Sequence, residues 1–147
     1  MRPLILFIVF LSFLTGSCKK DQQPDKEEPT DPCIVEFEVY QDLDYSSHIY
    51  NGLKAELKLT VSKEILQTGA NQVLWDTVFN LRGIREYPMK AAPLIINRKF
   101  NGIIEGKEAH RVSQVIKYVN AESQVSQHAK GEILPSQPLV KRFLIGL

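Results

Sequence analysis

Leu53-Lys54-Ala55-Glu56-Leu57-Lys58-Leu59-Thr60-Val61-Ser62 is the stretch that decides the fold. Apolar and polar residues alternate along it without a break. A period of two sends successive side chains to opposite faces of an extended chain, so Leu53, Ala55, Leu57, Leu59 and Val61 line one buried face while the others meet water. Upstream, Val35, Phe37 and Val39 alternate with Glu36, Glu38 and Tyr40 in the same way. Downstream, Val73, Trp75, Thr77, Phe79 and Leu81 form a third run, with Asp76, Asn80 and Arg82 on the other parity.

Further strands follow. Leu94, Ile96 and Phe100 mark a fourth; residues 110–121 a fifth, with Val112, Ile116 and Tyr118 on one parity; 124–134 a weaker sixth; and 139–147 a last. Asn101-Gly102 and Asn51-Gly52 are hairpin signals, because a type I′ turn needs positive φ at both central residues. Gly69-Ala70-Asn71 separates the second run from the third, and Pro135 and Pro138 bracket the approach to the last. About seven strands joined by short links predict an all-β, antiparallel β-sandwich over 33–147, with a small β-barrel as the alternative. The pattern resembles an immunoglobulin or fibronectin type III domain, with Trp75 where such domains bury a tryptophan. It lacks a cysteine pair across the sheets, and Tyr118 lies too late in its strand for a tyrosine corner.

The N-terminus carries a different signal. Arg2 precedes an apolar run of 12 residues, Pro3 to Leu14. A membrane-spanning helix needs roughly 20, whereas the apolar core of an export signal needs about 7–15. Leu14-Thr15-Gly16-Ser17-Cys18 then resembles a bacterial lipoprotein signal, whose lipobox ends in a small residue and a cysteine that is diacylated before cleavage. Thr15 stands where the strict pattern has an aliphatic residue. The resemblance implies a signal peptide at 1–17, lipid on Cys18 and a membrane anchor at the cell envelope. Lys19 after the cysteine implies the outer membrane by the sorting rule of enteric bacteria. Residues 19–32, KKDQQPDKEEPTDP, hold no aliphatic or aromatic side chain and read with Cys18 as a disordered tether over 18–32.

Composition narrows the function. Loss of Arg2 with the signal leaves 17 basic against 17 acidic residues, so there is no basic excess to attract nucleic acid. The domain of about 115 residues can bury a core without a metal or disulfides. Cys33 is left without an intramolecular partner once Cys18 carries lipid, and reads as a small apolar residue opening the first strand. No nucleophile elbow, metalloprotease helix, phosphate loop or Cys-x-x-Cys is present, and the reading is not an enzyme, with no cofactor. His110 and His128 sit on strands that can be neighbours. Two imidazoles alone make a poor metal site, so the three histidines read as solvated.

The segment from Tyr40 to Tyr50 is the candidate ligand site. Tyr40, Tyr45 and Tyr50 with Asp42, Asp44 and His48 offer flat rings beside short polar groups, which suits a sugar, and Asp42-x-Asp44 has the start of a calcium loop. The competing reading makes the tyrosines caps on the core. The last strand, LVKRFLIGL, is apolar on both faces and so must be covered on both, or else serve strand addition to a partner. The sequence thus points to a lipid-anchored binding module with a protein or glycan ligand. The alternatives are an envelope subunit assembling by strand addition and a small enzyme with an unrecognised site.

Overall fold

The computed structural model describes residues 28–134 and 140–147. The expected signal peptide, Cys18, the expected tether up to residue 27, Pro135, Pro138 and Leu139 lie outside the described residues. Seven strands form among them: β1 (Cys33–Tyr40), β2 (Lys54–Ile65), β3 (Ala70–Gly83), β4 (Leu94–Phe100), β5 (Glu108–Val119), β6 (Val125–Ile133) and β7 (Val140–Gly146). Two single turns of 3-10 helix, His48–Tyr50 and Ile84–Glu86, are the helical segments among the described residues.

The strands make two sheets, ordered β4-β1-β7 and β3-β2-β5-β6. Every pairing is antiparallel except β1 with β7. The chain is therefore an all-β sandwich of three strands on four, not closed into a barrel. In constant-type immunoglobulin domains the first strand pairs with the second, and the third lies in the other sheet with the last two. Here β1 and β2 lie in different sheets and β3 stays with β2. What is shared is the layering, not the strand order.

The alternation in β1 and β2 does what its period requires. Val35, Phe37 and Val39 of β1 and Ala55, Leu57, Leu59 and Val61 of β2 are fully buried, facing one another between the sheets. Each large side chain so buried contributes about 1.5–3 kcal/mol relative to exposure. Phe37 ties the layers together: its ring stacks on Trp75 of β3 at 5.6 Å and meets Phe143 of β7 at 5.8 Å. Trp75 thus packs against the core as expected, and the Arg98 guanidinium covers its ring at 5.1 Å.

β3 departs from strict alternation. Val73 and Leu81 are 59% and 41% exposed, whereas Trp75 and Phe79 pack against the core. The cause is two register shifts against β2, between Ala55 and Leu57 and between Val61 and Ser62. Each places one more residue on β3 than on β2, which flips the parity beyond it. Past the first shift Arg82, rather than Leu81, stands opposite buried Ala55, with its guanidinium over the Tyr87 ring at 4.1 Å.

The two Asn-Gly pairs also behave differently from the type I′ expectation. Asn51 has φ −62° and ψ 129° and Gly52 has φ +79°, with Leu53 N–H donating to the Tyr50 carbonyl at 3.1 Å. That is a type II turn leading into β2. Asn101-Gly102 is not a hairpin turn: β4 and β5 lie in different sheets, and the chain reverses later, around Gly106 at φ +76°. Gly102 serves close approach instead. A Cβ there would stand 1.6 Å from the Thr30 carbonyl oxygen. Thr30 donates its N–H to the Ile103 carbonyl at 2.8 Å, and its Oγ1 accepts the Ile103 N–H at 3.1 Å. Bonding to the sandwich thus reaches back beyond the expected boundary at Cys33.

β7 is an edge strand. Ile145 and Leu147 are buried, but on its outer face Val140 and Leu144 are 54% and 62% exposed. The expectation that both faces are covered holds for the inner face alone.

Candidate functional site

The sandwich has two ends with opposite character. At the far end of β1 from Thr30 lies the segment 41–50. Its two tyrosines, Tyr45 and Tyr50, are turned inward, and Tyr40 closes β1 just before it. Tyr40 and Tyr45 are buried, and the half-buried Tyr50 meets the Tyr45 ring edge-on at 4.9 Å. The sugar-stacking face expected there is not formed, because flat aromatics cap the end of the core. Burial, reinforced by the Asp42 charge, pushes the Tyr45 phenol well above its ordinary pKa.

The acidic groups of the segment are engaged within it. Asp42 Oδ1 accepts the Tyr45 hydroxyl at 3.3 Å. Asp44 Oδ1 accepts the Ser46 N–H at 2.9 Å, and this bond holds the Asp44 carboxyl below its usual range. His48 is exposed. No three His, Cys, Asp or Glu side chains come together to hold a metal ion among the described residues.

What orders this segment lies outside it. Arg85 donates from Nε to the Tyr45 carbonyl at 2.5 Å, and from Nη2 to the Ser46 and Ser47 carbonyls at 3.1 and 2.8 Å. Gln41 Nε2 donates to the Tyr87 carbonyl. Tyr87 is itself buried and its hydroxyl donates to the Ala55 carbonyl at 3.0 Å, anchoring this end to β2. On this frame Leu43, Ile49 and Met89 are 57%, 69% and 71% exposed. Leu43 and Met89 flank an open groove of about 350 Å³ with Gln41, Asp42, Asp44 and Lys90.

The other end, beside Thr30, holds a second groove of about 390 Å³. Lys63 of β2, Gln72 of β3, His110 of β5 and Lys99 of β4 line it, together with Asn101 and Gly102 and with Leu74 and Phe100 as apolar wall. Lys63 pairs across β2 with Gln72 on one side and His110 on the other, which sets three polar side chains in a row at the mouth of the sandwich. His110 is 3% exposed, its ring 6.1 Å from that of Phe100. Burial, and then the Lys63 charge, hold its pKa below the ordinary histidine value. Lys63 Nζ donates to Glu108 Oε1 at 2.9 Å, and Glu108 Oε2 accepts the Ile104 N–H at 3.1 Å. These contacts hold the Glu108 carboxyl below its usual range.

Comparison with protein-family models, curated proteins and solved structures finds no match for this chain.

His110 was expected to be solvated and is buried. It does not meet His128, which is opposite Ile116 and lies edge-on to Tyr118 at 6.0 Å. The backbone neighbour of His110 is Leu134, whose N–H donates to the His110 carbonyl at 2.8 Å. The groove around His110 escaped the sequence reading because its members come from four strands with no short-range spacing. One signal was available: alternation carried on past Val61 places Lys63 on the inner parity, at the end of a strand otherwise apolar on that face.

Proposed function

We propose that this chain is a lipid-anchored lipoprotein of the cell envelope, held at the outer membrane through Cys18, whose β-sandwich is a non-enzymatic binding module. The chain reaches the sandwich at the Thr30 end, so the 41–50 segment is carried at the end remote from the anchor. The observation that supports this reading is the pairing of a preorganised loop with exposed Leu43, Ile49 and Met89. A backbone fixed by Arg85 loses little conformational freedom on binding, and large exposed apolar side chains are what a protein partner buries. A protein partner fits this end better than a glycan, because Tyr45 and Tyr50 are packed inward.

The test is photo-crosslinking in intact cells from probes placed at position 43 and at position 89, with a probe at position 58 on an outer sheet face as control. A discrete adduct from 43 and 89, absent from 58 and lost in Cys18→Ser cells where the protein leaves the membrane fraction, is the expected result. A catalytic turnover abolished by a single substitution would overturn the reading.

A second reading, a subunit that assembles by strand addition, is favoured by the position of β7 at a sheet edge among the described residues, with Val140 and Leu144 exposed. Deleting the strand cannot test it, since Ile145 and Leu147 are core. Val140→Lys with Leu144→Lys leaves the inner face intact and abolishes oligomers if the edge is the assembly surface.

A further inference from the structure

We infer that the groove between Lys63, Gln72, Lys99 and His110 is a binding site for a phosphate-bearing ligand with a short apolar part. Its lining contains no carboxylate. Two lysines, two residues with carboxamide side chains and a histidine line a space of about 390 Å³, the lower range of small-molecule sites. An ammonium offers three donors and no acceptor, and lysine binds phosphate as a point charge.

The two lysines are prepared differently. Lys63 is held in place by Glu108, which is itself fixed by the Ile104 N–H. Lys99 lines the same groove and has no acidic partner among the described residues. Leu74 and Phe100 supply the wall against which the carbon part of a phosphate ester packs. The rim at Asn101-Gly102 is pinned to Thr30, so the site opens beside the point where the chain arrives from its N-terminal side. Phosphate of that kind has two sources, a lipid headgroup and a soluble phosphate ester. The site does not depend on the lipoprotein reading; only the lipid source does.

The experiment uses the full chain with Cys18→Ser, labelled with nitrogen-15 and titrated with inorganic phosphate against chloride at constant ionic strength. Saturable shifts confined to Lys63, Gln72, Lys99, Asn101 and His110 are expected. Lys99→Gln, which leaves the core untouched, should weaken binding by about tenfold or more. Equal affinity in Lys99→Gln, or shifts spread evenly over every surface lysine, overturns the inference. The source is then read from glycerol 3-phosphate and from phosphatidylglycerol vesicles. If only the ester perturbs the groove, the ligand is a soluble ester. If vesicles also occupy it and Lys99→Gln releases them, it is a lipid headgroup. Either result upholds the phosphate site.

Discussion

Arg85 organises a loop that lies forty residues upstream of it in sequence, at the Tyr45 carbonyl it binds. Its guanidinium fork reaches three successive carbonyls, a geometry that a lysine ammonium does not reproduce. Arg85→Ala should therefore cost about 1–2 kcal/mol, the lower part of the range for charge-assisted bonds because the side chain is exposed. Urea unfolding measures the loss, and amide exchange should quicken from Ser46 to Asn51 while β2 keeps its protection; Arg85→Lys should not restore it. His110 acts through its proton. Its pKa is lowered by burial first and by Lys63 next, with Glu108 opposing and the groove's other cation, Lys99, nearby. Protonation is thus harder in the folded chain than in the unfolded one. The full contribution is present above the ordinary value of 6.5. Below it the unfolded chain takes the proton first, and stability falls until the folded-state pKa is passed. Glu108, also held low, adds its own loss only below its ordinary value of 4.5, so the two windows separate. Denaturation midpoints should decline as pH drops below 6.5, and His110→Gln should flatten that first segment. A decline of the same size in the variant would assign it to other groups.

Among the elements, β1 and β2 were legible because each is paired on both sides and faces the core along its length, so one parity is buried throughout. β3 was legible only in its middle. It pairs on one side alone, and its two bulges are defined by the partner's register, which a single run of residues does not carry. Bulges on an edge strand also twist it away from intermolecular pairing. The consequence is measurable. Strict alternation makes Val73 and Trp75 equivalent core positions, whereas the bulged register puts Val73 in water and Trp75 on Phe37. Val73→Ser should change stability by no more than about 0.5 kcal/mol. Trp75→Ala, losing a half-buried ring, should cost about 2–4 kcal/mol. Thermal unfolding of the two variants side by side decides between the registers. The segment from Tyr40 to Tyr50 was ambiguous for a different reason. Tyrosine is compatible both with a ligand face and with the end of a core, and its hydroxyl is satisfied in either place, as Tyr45 is by Asp42. Only the tertiary position of Arg85 and Tyr87 settles which way the rings turn.

At the scale of the molecule the sandwich has an apolar loop end and a polar groove end, and Thr30 is joined to the second. Gly102 is the residue that allows this junction. It is not among the residues with positive φ, so its backbone accepts any side chain; what excludes a Cβ is the Thr30 carbonyl 1.6 Å away. Gly102→Ala should therefore displace Thr30 without straining the 102 backbone. Both bonds between Thr30 and Ile103 would be lost, at a cost of about 1–2 kcal/mol. Ile103 amide exchange should accelerate and the stretch 28–32 should become open to protease, while the amides of β2 and β5 stay protected. Gly69→Ala is the matched control. Gly69 has φ +67° with open space around it, so a side chain there strains the turn between β2 and β3 and leaves Thr30 in place. If Gly102→Ala leaves Ile103 exchange unchanged, Thr30 does not pin the chain to the sandwich. If exchange rises in Gly102→Ala and not in Gly69→Ala, the junction is a fixed contact, and the groove beside it keeps a defined position relative to the chain that leads toward Cys18.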